Sequence, residues 1–285
     1  MKQADTQAAR GTQLIARSAT LLRLIANTNH QGARLVDLTL HSGLERPTVR
    51  RILQGWIKEG LVRQHAGNKR YYLGVLMFEL GLAAARGIDM PAMAAARSLA
   101  RIAAQTEDTV YLVQRSGLDA VCIARREGSF PVKVLTIDVG ARRPLGAAAG
   151  SLAILAGLPA DERATIVATN RSQMESYEKL YGMSLDDAVG DTIGRGFALM
   201  PINVVPYVSA VAVAIPSRVG PPHAALSVSA LSSRIMGNDR FIEIVRLMRI
   251  EAEEIARALH SGPVRAYTGI DCALSQPYPA EIAGQ

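Results

Sequence analysis

The sequence predicts an α+β protein of two units: a small helical unit that closes with a two-stranded hairpin, and a larger unit in which an antiparallel sheet is flanked by helices. Two observations predict this class, and a third separates the two units. In the first part of the chain, apolar residues recur at helical spacing. Further along, runs rich in β-branched residues are grouped between helical stretches, which is typical of an antiparallel sheet. The charge is also divided unevenly between the two units.

The net charge of the chain lies entirely in its first part. The 285 residues carry a formal charge of +7. Residues 1–85 contain twelve lysines and arginines against five acids, and the remainder contains twenty of each sign. A basic unit joined to a neutral one is typical of a nucleic-acid-binding protein. A solvated basic face without a partner is the alternative, and charge alone does not decide between the two.

Composition and cysteine spacing exclude several classes. Apolar residues make up 49% of the chain, which is enough to bury a core in both units. Cys122 and Cys272 stand far apart with no CxxC pair, so neither a metal knuckle nor a disulfide framework is predicted. Cys122 lies between Val121 and Ile123 and is expected to pack in the core. The polar start MKQADTQAARGTQ has no apolar signal segment, so a cytoplasmic protein is expected.

The longest uncharged run, residues 197–217, raises the question of a membrane helix. Pro201, Pro206 and Pro216 interrupt it, and polar residues lie between them. We therefore predict two strands around a bend and no membrane partner.

The basic unit begins with two helices and a turn. Residues 18–27 predict an amphipathic helix with Ser18 as its cap, followed by a turn cluster over 29–32. A short second helix is predicted over 35–40. Gly43 then supplies the positive φ that ends this helix and lets the chain reverse.

A third helix lies within residues 44–62, LERPTVRRILQGWIKEGLV, and its two faces differ. Pro47 is favoured in the first helical turn. The stripe predicted to face the core consists of Val49, Ile52, Leu53, Trp56 and Ile57. The opposite face carries Arg46, Thr48, Arg50, Arg51 and Gln54. Because Trp56 lies on the apolar stripe, we predict that it packs in the core and does not stack on bases.

Residues 61–74, LVRQHAGNKRYYLG, predict a hairpin around Gly67–Asn68. Two helices, a turn, an arginine-bearing helix and a hairpin form the winged helix-turn-helix arrangement, whose third helix enters the major groove of DNA. Arginines there contact guanine or phosphate, and hairpin cations contact the neighbouring backbone. The predicted DNA-binding residues are Arg46, Pro47, Thr48, Arg50, Arg51, Lys69 and Arg70. For any one arginine, a solvated helix face is the alternative.

The rest of the chain predicts a linker helix and a second unit. The linker helix covers residues 73–86, and an alanine-rich helix covers 90–106. The predicted strands are two around the turn at 116–119, one over 132–137, and two over 204–215 and 223–231. The predicted helices are 150–156, stretches within 161–196, and a long final helix over 239–260. Little order is expected beyond residue 262.

These segments together resemble the IclR family of bacterial transcription regulators over about residues 12–262. The likeness is carried by the order and spacing of RSATLLRLIA, GLERPTVRRIL, WIKEGLVR, RYYLG, EDTVYLVQRSGLDAVCIAR, RRPLGAAAGSLAILAG, IGRGFAL, VSAVAVAIP and ALSVSAL. The resemblance implies a winged helix-turn-helix domain (1–73), a linker helix (74–90), a GAF-like effector-binding domain (91–262) and a flexible tail (263–285). It also implies a homodimer or homotetramer, double-stranded DNA with an inverted-repeat operator, and a small organic effector that changes DNA affinity.

A possible effector site is predicted at the glycine- and alanine-rich loop of RRPLGAAAGSLAILAG. This loop opens a helix and leaves backbone N–H groups from Ala148 to Ser151 without a partner, at the positive end of the helix dipole. By resemblance, the loop and the last sheet strands line the ligand site. The effector-binding residues so implied are Ala148, Ala149, Gly150, Ala210, Ser227 and Ser229. Solvent exposure of the two serines, and tight helix packing of the loop, are the alternatives.

Two departures from the family pattern bear on the effector. Residues 203–207, Asn-Val-Val-Pro-Tyr, stand where many members have an acidic residue and a glycine, which favours an aromatic or more apolar effector. Ser151 replaces a basic residue that is common after the loop glycine, which counts against a carboxylate.

Two other classes of function stay open. The chain has no HExxH, GxSxG or P-loop motif, and its five histidines are scattered, so an enzyme is not predicted and no cofactor or metal is expected. A hydrolase site assembled only by the fold is the remaining enzymatic alternative. The other alternative is a DNA-binding protein whose second domain only forms oligomers.

Overall fold

The computed structural model describes residues 2–85, 91–200, 207–236 and 240–259. The chain divides into two compact units, Met1–Ile88 and Asp89–Gln285. The α+β class predicted from the sequence is confirmed, with a helix-turn-helix in the first unit and an antiparallel sheet with helices in the second.

Three helices, a hairpin and a further helix make up the first unit. Its elements are α1 (Lys2–Asn27), α2 (Leu35–Ser42), α3 (Arg46–Lys58), β1 (Val62–Gln64), β2 (Tyr71–Leu73) and α4 (Val75–Ala85). The two strands pair antiparallel, with Val62 opposite Leu73. Its core is formed by side chains from all three leading helices and the hairpin, including Leu21, Ile25, Leu38, Leu53 and Val62.

The structure agrees with the predicted turn and with the predicted start of the third helix, and it corrects two other predictions for this unit. Gly43 adopts the left-handed conformation (φ 62°) after α2, and Pro47 lies in the first turn of α3, as predicted. Ser18 is not a cap, because α1 begins at Lys2 and runs through it without a proline to interrupt the helix. Ile57 is 38% exposed, so the apolar stripe of α3 is buried chiefly at Val49 and Leu53.

The second unit is a six-stranded antiparallel sheet with helices on both faces. Its helices are α5 (Pro91–Thr106), α6 (Ala149–Ala156), α7 (Ala160–Tyr181), α8 (Leu185–Arg195), α9 (Ser232–Ile235) and α10 (Arg240–Leu259). Its strands are β3 (Thr109–Ser116), β4 (Asp119–Arg126), β5 (Arg142–Pro144), β6 (Ala198–Met200), β7 (Val208–Ala214) and β8 (Ala224–Leu231). The strand order is β5-β4-β3-β8-β7-β6, and every neighbouring pair is antiparallel.

The sheet separates two apolar cores. Tyr111 and Val113 of β3 face the core that contains α6 and α8, whereas Val110 and Leu112 face the core that contains α5 and α10. Because both faces are covered, β7 and β8 are buried along almost their whole length. Cys122 is fully buried in the first of these cores, as predicted.

The predicted strand over residues 132–137 is wrong. This segment is irregular, and a side chain from another strand satisfies part of its backbone: the Tyr111 hydroxyl donates to the Val134 carbonyl (2.7 Å) and accepts from the Thr136 N–H (3.0 Å). The strand that extends the sheet beside β4 is instead β5, which was not predicted. The short helix α9 was not predicted either.

Some expectations lie outside the described residues. These are the end of the linker helix, the bend over 201–206 and the carboxyl-terminal tail. The strands on the two sides of that bend, β6 and β7, are present and pair with each other.

A buried ion cluster ties the end of the sheet to α10. Asp108 is 5% exposed and accepts from Arg234 Nε (2.8 Å) and from Arg240 Nη2 (3.0 Å). Both guanidinium groups also donate to the Thr106 carbonyl, and Arg234 lies 3.7 Å from the ring centre of Phe130. Asp108 thus pairs with one guanidinium from α9 and one from α10, and Glu107 lies 3.5 Å from the Arg234 guanidinium.

Candidate functional site: a DNA-binding surface and an enclosed cavity

The first candidate surface is the outer face of α3. Val49 and Leu53 are fully buried, and this orients the helix so that the intervening residues point outward. Arg46, Arg50 and Arg51 are exposed, as is Pro47, and Thr48 is half-buried. The three guanidinium groups therefore lie on the first two turns of one helix, beside a short turn centred on Gly43.

No carboxylate among the described residues of the first unit pairs with these cations. Among the residues that the structure describes, the side chains of Arg46, Arg50, Arg51 and Lys69 make no hydrogen bond or ion pair. By contrast, Arg34 at the start of α2 is paired with Asp37 (2.7 Å), and this hydrogen bond lowers the pKa of the Asp37 carboxyl. An unpaired, exposed guanidinium is available to a phosphate or a guanine edge.

The hairpin is fixed against the turn between α1 and α2. Tyr71 and Ala33 exchange backbone hydrogen bonds (2.8 and 2.9 Å), and the Tyr72 hydroxyl donates to the Gln31 carbonyl (3.1 Å). Gly32 has a positive φ of 78°, which favours glycine, and a Cβ added there would lie 2.4 Å from Cζ of Tyr72. The hairpin therefore holds a defined position beside the helix-turn-helix.

The two hairpin cations predicted to bind DNA differ in their surroundings. Lys69 is exposed at the tip, with a positive φ of 58°. Arg70 is half-buried, and its guanidinium donates to the carbonyls of Gly32 (3.0 Å) and Gln31 (3.4 Å), so it fastens the hairpin to the α1–α2 turn. Arg63 of β1 is exposed and lies 4.8 Å from the ring centre of Tyr72. Sequence reasoning missed Arg63, although its alternation with the buried Val62 signals an outward-facing cation.

The second candidate site is a small cavity between the sheet and α6. All six residues predicted for effector binding line it: Ala148, Ala149 and Gly150 from the loop and start of α6, Ala210 from β7, and Ser227 and Ser229 from β8. The other lining residues are Tyr111, Val113, Ala120, Thr136, Ile137, Arg143 and Ser151. The cavity volume is about 30 Å³, which is enough to hold a water molecule.

The loop before α6 approaches the sheet closely because it lacks large side chains. A Cβ added to Gly150 would lie 2.6 Å from Cγ2 of Val113, so α6 could not rest on β3 at this distance with any other residue there. Gly150 is therefore tightly packed against the sheet. This agrees with one of the alternatives that the sequence left open for the loop. The Ser151 hydroxyl accepts from the Ala148 N–H (3.0 Å) and donates to its carbonyl (2.9 Å), which caps the helix. The N–H groups of the first helical turn that follow have no partner within the helix.

The two serines of β8 face this cavity and are not exposed to solvent. Ser227 is 6% exposed and Ser229 is 3% exposed, so the solvent-exposed alternative is wrong. Tyr111 lies opposite Ser227, and Ala210 lies opposite Ser229, in the neighbouring strands, which places these four side chains on one face of the sheet. Within the described part of the chain, neither serine hydroxyl has a hydrogen-bond partner.

Three lining residues close the other side of the cavity. Burial raises the pKa of the Tyr111 phenol, so its hydroxyl is neutral at physiological pH and can donate to Val134. Arg143 of β5 donates to the carbonyl of Thr136. Sequence reasoning missed Tyr111, Thr136 and Arg143, because β5 was not predicted and the segment carrying Thr136 was assigned to a strand.

A larger, open groove runs along α10 and has a volume of about 590 Å³. It is lined by Arg195, Phe197, Ile242, Val245, Arg246, Arg249 and Ile250. Ile242 and Ile250 are each 54% exposed, so this groove encloses a ligand poorly. The smaller cavity combines apolar walls with the hydroxyls of Ser227 and Ser229 and is therefore the better candidate for a specific small molecule.

No group of three or more metal-ligating side chains occurs among the described residues. None of the helices that the structure describes combines the length and the hydrophobicity needed to cross a membrane.

Comparison with known proteins finds a matching family model for each of the two units. Residues 14–66 match the model of the IclR helix-turn-helix domain, and residues 85–257 match that of the bacterial transcriptional regulator IclR C-terminal domain. The HTH-type transcriptional repressor AllR of Klebsiella pneumoniae is 24% identical over 262 residues, which cover 92% of this chain and 95% of the relative.

Solved structures show the same fold. An IclR family transcriptional regulator from Brucella abortus has a TM-score of 0.68 and 23% identity, covering 86% of this chain and 91% of that one. An IclR homologue from Microbacterium hydrocarbonoxydans, solved in complex with 4-hydroxybenzoate, has a TM-score of 0.64 and 19% identity, covering 87% of this chain and all of that one. Since the family models together account for most of its length, this chain belongs to the IclR family of bacterial transcriptional regulators.

Proposed function

We propose that the chain is a sequence-specific DNA-binding regulator whose affinity for its operator is controlled by a small organic effector bound in the enclosed cavity of the second unit. The observation that carries the proposal is the outer face of α3, where Arg46, Arg50 and Arg51 are exposed and unpaired among the described residues. A helix presented in this way fits the major groove, and its amino-terminal residues reach base edges.

In this proposal the cations divide into two roles. Arg46 and Arg50 contact bases or phosphates from successive turns of α3, with Pro47, Thr48 and Arg51 beside them. Lys69 at the hairpin tip contacts the backbone of the neighbouring groove and adds attraction that does not depend on sequence. Arg70 contributes chiefly by holding the hairpin in place, because its guanidinium is engaged with two backbone carbonyls.

The operator is an inverted repeat read by a homodimer or homotetramer. The apolar side chains of α4 support self-association: Val75, Phe78, Leu80 and Leu82 are each more than half exposed. A row of this kind on a helix marks a surface that another molecule covers. We expect Phe78→Asp to dissociate the oligomer, as measured by light scattering after gel filtration.

The enclosed cavity is the proposed effector site. Its walls combine apolar side chains with a few unpaired polar groups, which is the usual composition of small-molecule sites. A structural relative was solved with 4-hydroxybenzoate, and this supports a small aromatic acid as the first class to test. The relatives are transcriptional regulators, so regulation and not catalysis is the proposed role.

The operator can be identified by selecting random duplexes on the full-length protein and footprinting the selected sites. We expect two inverted half-sites whose centres are about 34–36 Å, or a multiple of this distance, apart. A single asymmetric half-site would contradict the proposed geometry.

The alternative, a second unit that only forms oligomers, is tested by ligand screening. A specific effector at a hundred times its Kd stabilises the folded protein by about 2.7 kcal/mol, whereas an oligomerisation domain shows no such response. A thermal-shift screen with small organic acids and aromatics, followed by operator titration in the presence of each hit, separates the two functions.

A further inference from the structure

The tip loop of the hairpin, residues 65–70, joins β1 to β2 and has an unusual backbone conformation. The His65 N–H donates to the Arg70 carbonyl (2.9 Å), and the Lys69 N–H donates to the His65 carbonyl (3.0 Å), which closes the loop. Lys69 has a φ of 58°, in the left-handed region that residues other than glycine seldom adopt. Contacts elsewhere in the loop must therefore hold this conformation.

The imidazole of His65 organises the backbone of the tip loop. Its Nδ1 accepts hydrogen bonds from the N–H groups of Gly67 (3.1 Å) and Asn68 (3.3 Å). Because both partners are donors, Nδ1 carries no proton, so the ring is neutral and its proton lies on Nε2. One side chain thus satisfies two backbone donors that the pairing of the two strands leaves unused.

The imidazole is also held in place from two sides. Its ring centre lies 6.5 Å from that of Tyr72 in β2, and the two rings are tilted by 58°. On the side of the loop, a Cβ added to Gly67 would lie 3.3 Å from Cε1 of His65, which is a tight approach. The ring therefore lies between the loop backbone and the second strand.

Further contacts fix the main chain on both sides of Lys69. The Oδ1 of Asn68 accepts from the Arg70 N–H (3.0 Å), and the Nδ2 of Asn68 donates to the Tyr72 hydroxyl (3.3 Å). The Gln64 side chain donates to the Lys69 carbonyl (2.9 Å). The Lys69 ammonium group, by contrast, has no partner among the described residues. The direction of this side chain is therefore set by the conformation of the tip loop.

We propose that His65 is a positioning residue for DNA binding: its neutral imidazole orders the tip loop in the free protein and so holds Lys69 in place for its contact with the DNA backbone. This inference rests on the proposed function, in which Lys69 binds phosphate. A loop that is already ordered loses less conformational freedom on binding, so the contact is stronger than one made from a flexible loop.

The test measures the affinity of the full-length protein for its selected operator and for a random duplex of the same length, at several salt concentrations. His65→Ala removes the acceptor. His65→Asn supplies an Oδ1 that can accept from the same two N–H groups, as in an Asx turn. Lys69→Ala and the double variant complete a double-mutant cycle. The control is His30→Ala, which removes another exposed imidazole of the first unit, one without a hydrogen bond in the described part of the chain.

We expect His65→Ala to weaken binding to the operator and to the random duplex alike, by about 3- to 10-fold, because the loop and Lys69 must then be ordered during binding. The slope of log affinity against log salt should fall by no more than about 0.9, the change expected for one lost phosphate contact. His65→Asn and His30→Ala should bind within about twofold of the wild type. In the Lys69→Ala background, His65→Ala should have no further effect.

Three outcomes overturn the proposal. These are wild-type affinity of His65→Ala for both duplexes, additive effects of His65→Ala and Lys69→Ala in the cycle, and binding by His65→Asn as weak as that by His65→Ala. Each of them leaves the proposed function intact if the wild-type protein prefers its operator. If the wild-type protein prefers no duplex over another, the proposed function fails and this inference fails with it.

Discussion

Replacing Gly150 with alanine tests how closely α6 is packed on the sheet. The added Cβ would lie 2.6 Å from Cγ2 of Val113 and 3.6 Å from Cβ of Ser227. The first distance is about 1 Å shorter than the optimal separation of two carbon atoms. Val113 is 8% exposed and belongs to a central strand, so neither it nor the helix can move away at low cost.

The net effect is a balance of two terms. Overpacking of a core costs about 1–3 kcal/mol. Replacing glycine with alanine returns up to about 1 kcal/mol in a helix interior, and less at Gly150, which is the second residue of α6. We therefore expect Gly150→Ala to lower the free energy of unfolding by about 1–2 kcal/mol, which corresponds to a fall in Tm of about 2–8 °C. Urea unfolding and thermal denaturation of the full-length protein measure this change.

A double-mutant cycle with Val113→Ala identifies the cause, because Val113→Ala removes the methyl group that the new Cβ would meet. The double variant should be more stable than the sum of the two single changes by about 1–2 kcal/mol. Gly190→Ala in α8 is the control, since no atom lies within 4 Å of the added Cβ, and it should be neutral or stabilising by up to about 1 kcal/mol. This account is refuted if the free energy of unfolding of Gly150→Ala equals that of the wild type. It is also refuted if the effects of Gly150→Ala and Val113→Ala on that free energy are additive.

The remaining predictions concern DNA recognition, the buried ion cluster and the buried thiol. Arg50→Ala should lose about 1–3 kcal/mol of discrimination at one base pair, whereas Lys69→Ala should weaken binding to all sequences alike. If both variants lose the same affinity for specific and for random duplexes, these roles are contradicted. Asp108→Ala should lower the free energy of unfolding in urea by about 1–3 kcal/mol, because it removes the buried carboxylate from Arg240 and leaves Arg234 with only Glu107 at 3.5 Å. A loss below about 1 kcal/mol would show that the cluster contributes little. Burial raises the pKa of the Cys122 thiol to about 11. In a Cys272→Ser background, iodoacetamide should therefore modify Cys122 at about pH 8 only after the protein unfolds. Rapid labelling of the folded protein would show that the thiol is accessible. Since burial places the folded-state pKa of this thiol above its ordinary value, the thiol should favour the folded state at pH values below that ordinary value. This contribution should be lost as the pH rises toward 11.

Local patterns determined the first unit almost completely. The turn at Gly43, the start of α3 near Pro47 and the hairpin before β2 each depend on a few neighbouring residues, so they could be predicted from the sequence. The same patterns identified which face of α3 is buried. They did not reveal that Arg70 reaches the α1–α2 turn, because its acceptors lie nearly forty residues away.

The segment over residues 132–137 shows where local patterns mislead. Its alternating β-branched residues predict a strand, but no strand of the sheet pairs with it among the described residues. Its backbone is satisfied in part by the hydroxyl of Tyr111, which is more than twenty residues away in the sequence. A pattern of spacing carries no information about such a distant partner.

The sequence by itself determined a basic helix-turn-helix unit, a neutral unit with an antiparallel sheet, and the glycine- and alanine-rich loop that begins α6. These features follow from periodicity, turn residues and charge, which are properties of short segments. Only the tertiary structure decided which side chains meet around the cavity. Ser227 and Ser229 alternate as an exposed face would, yet α6 covers them, and Arg143 reaches the same space because β5 pairs with β4. The physical reason is that burial and the availability of hydrogen-bond partners depend on which elements pack together, and that packing joins residues far apart in the chain.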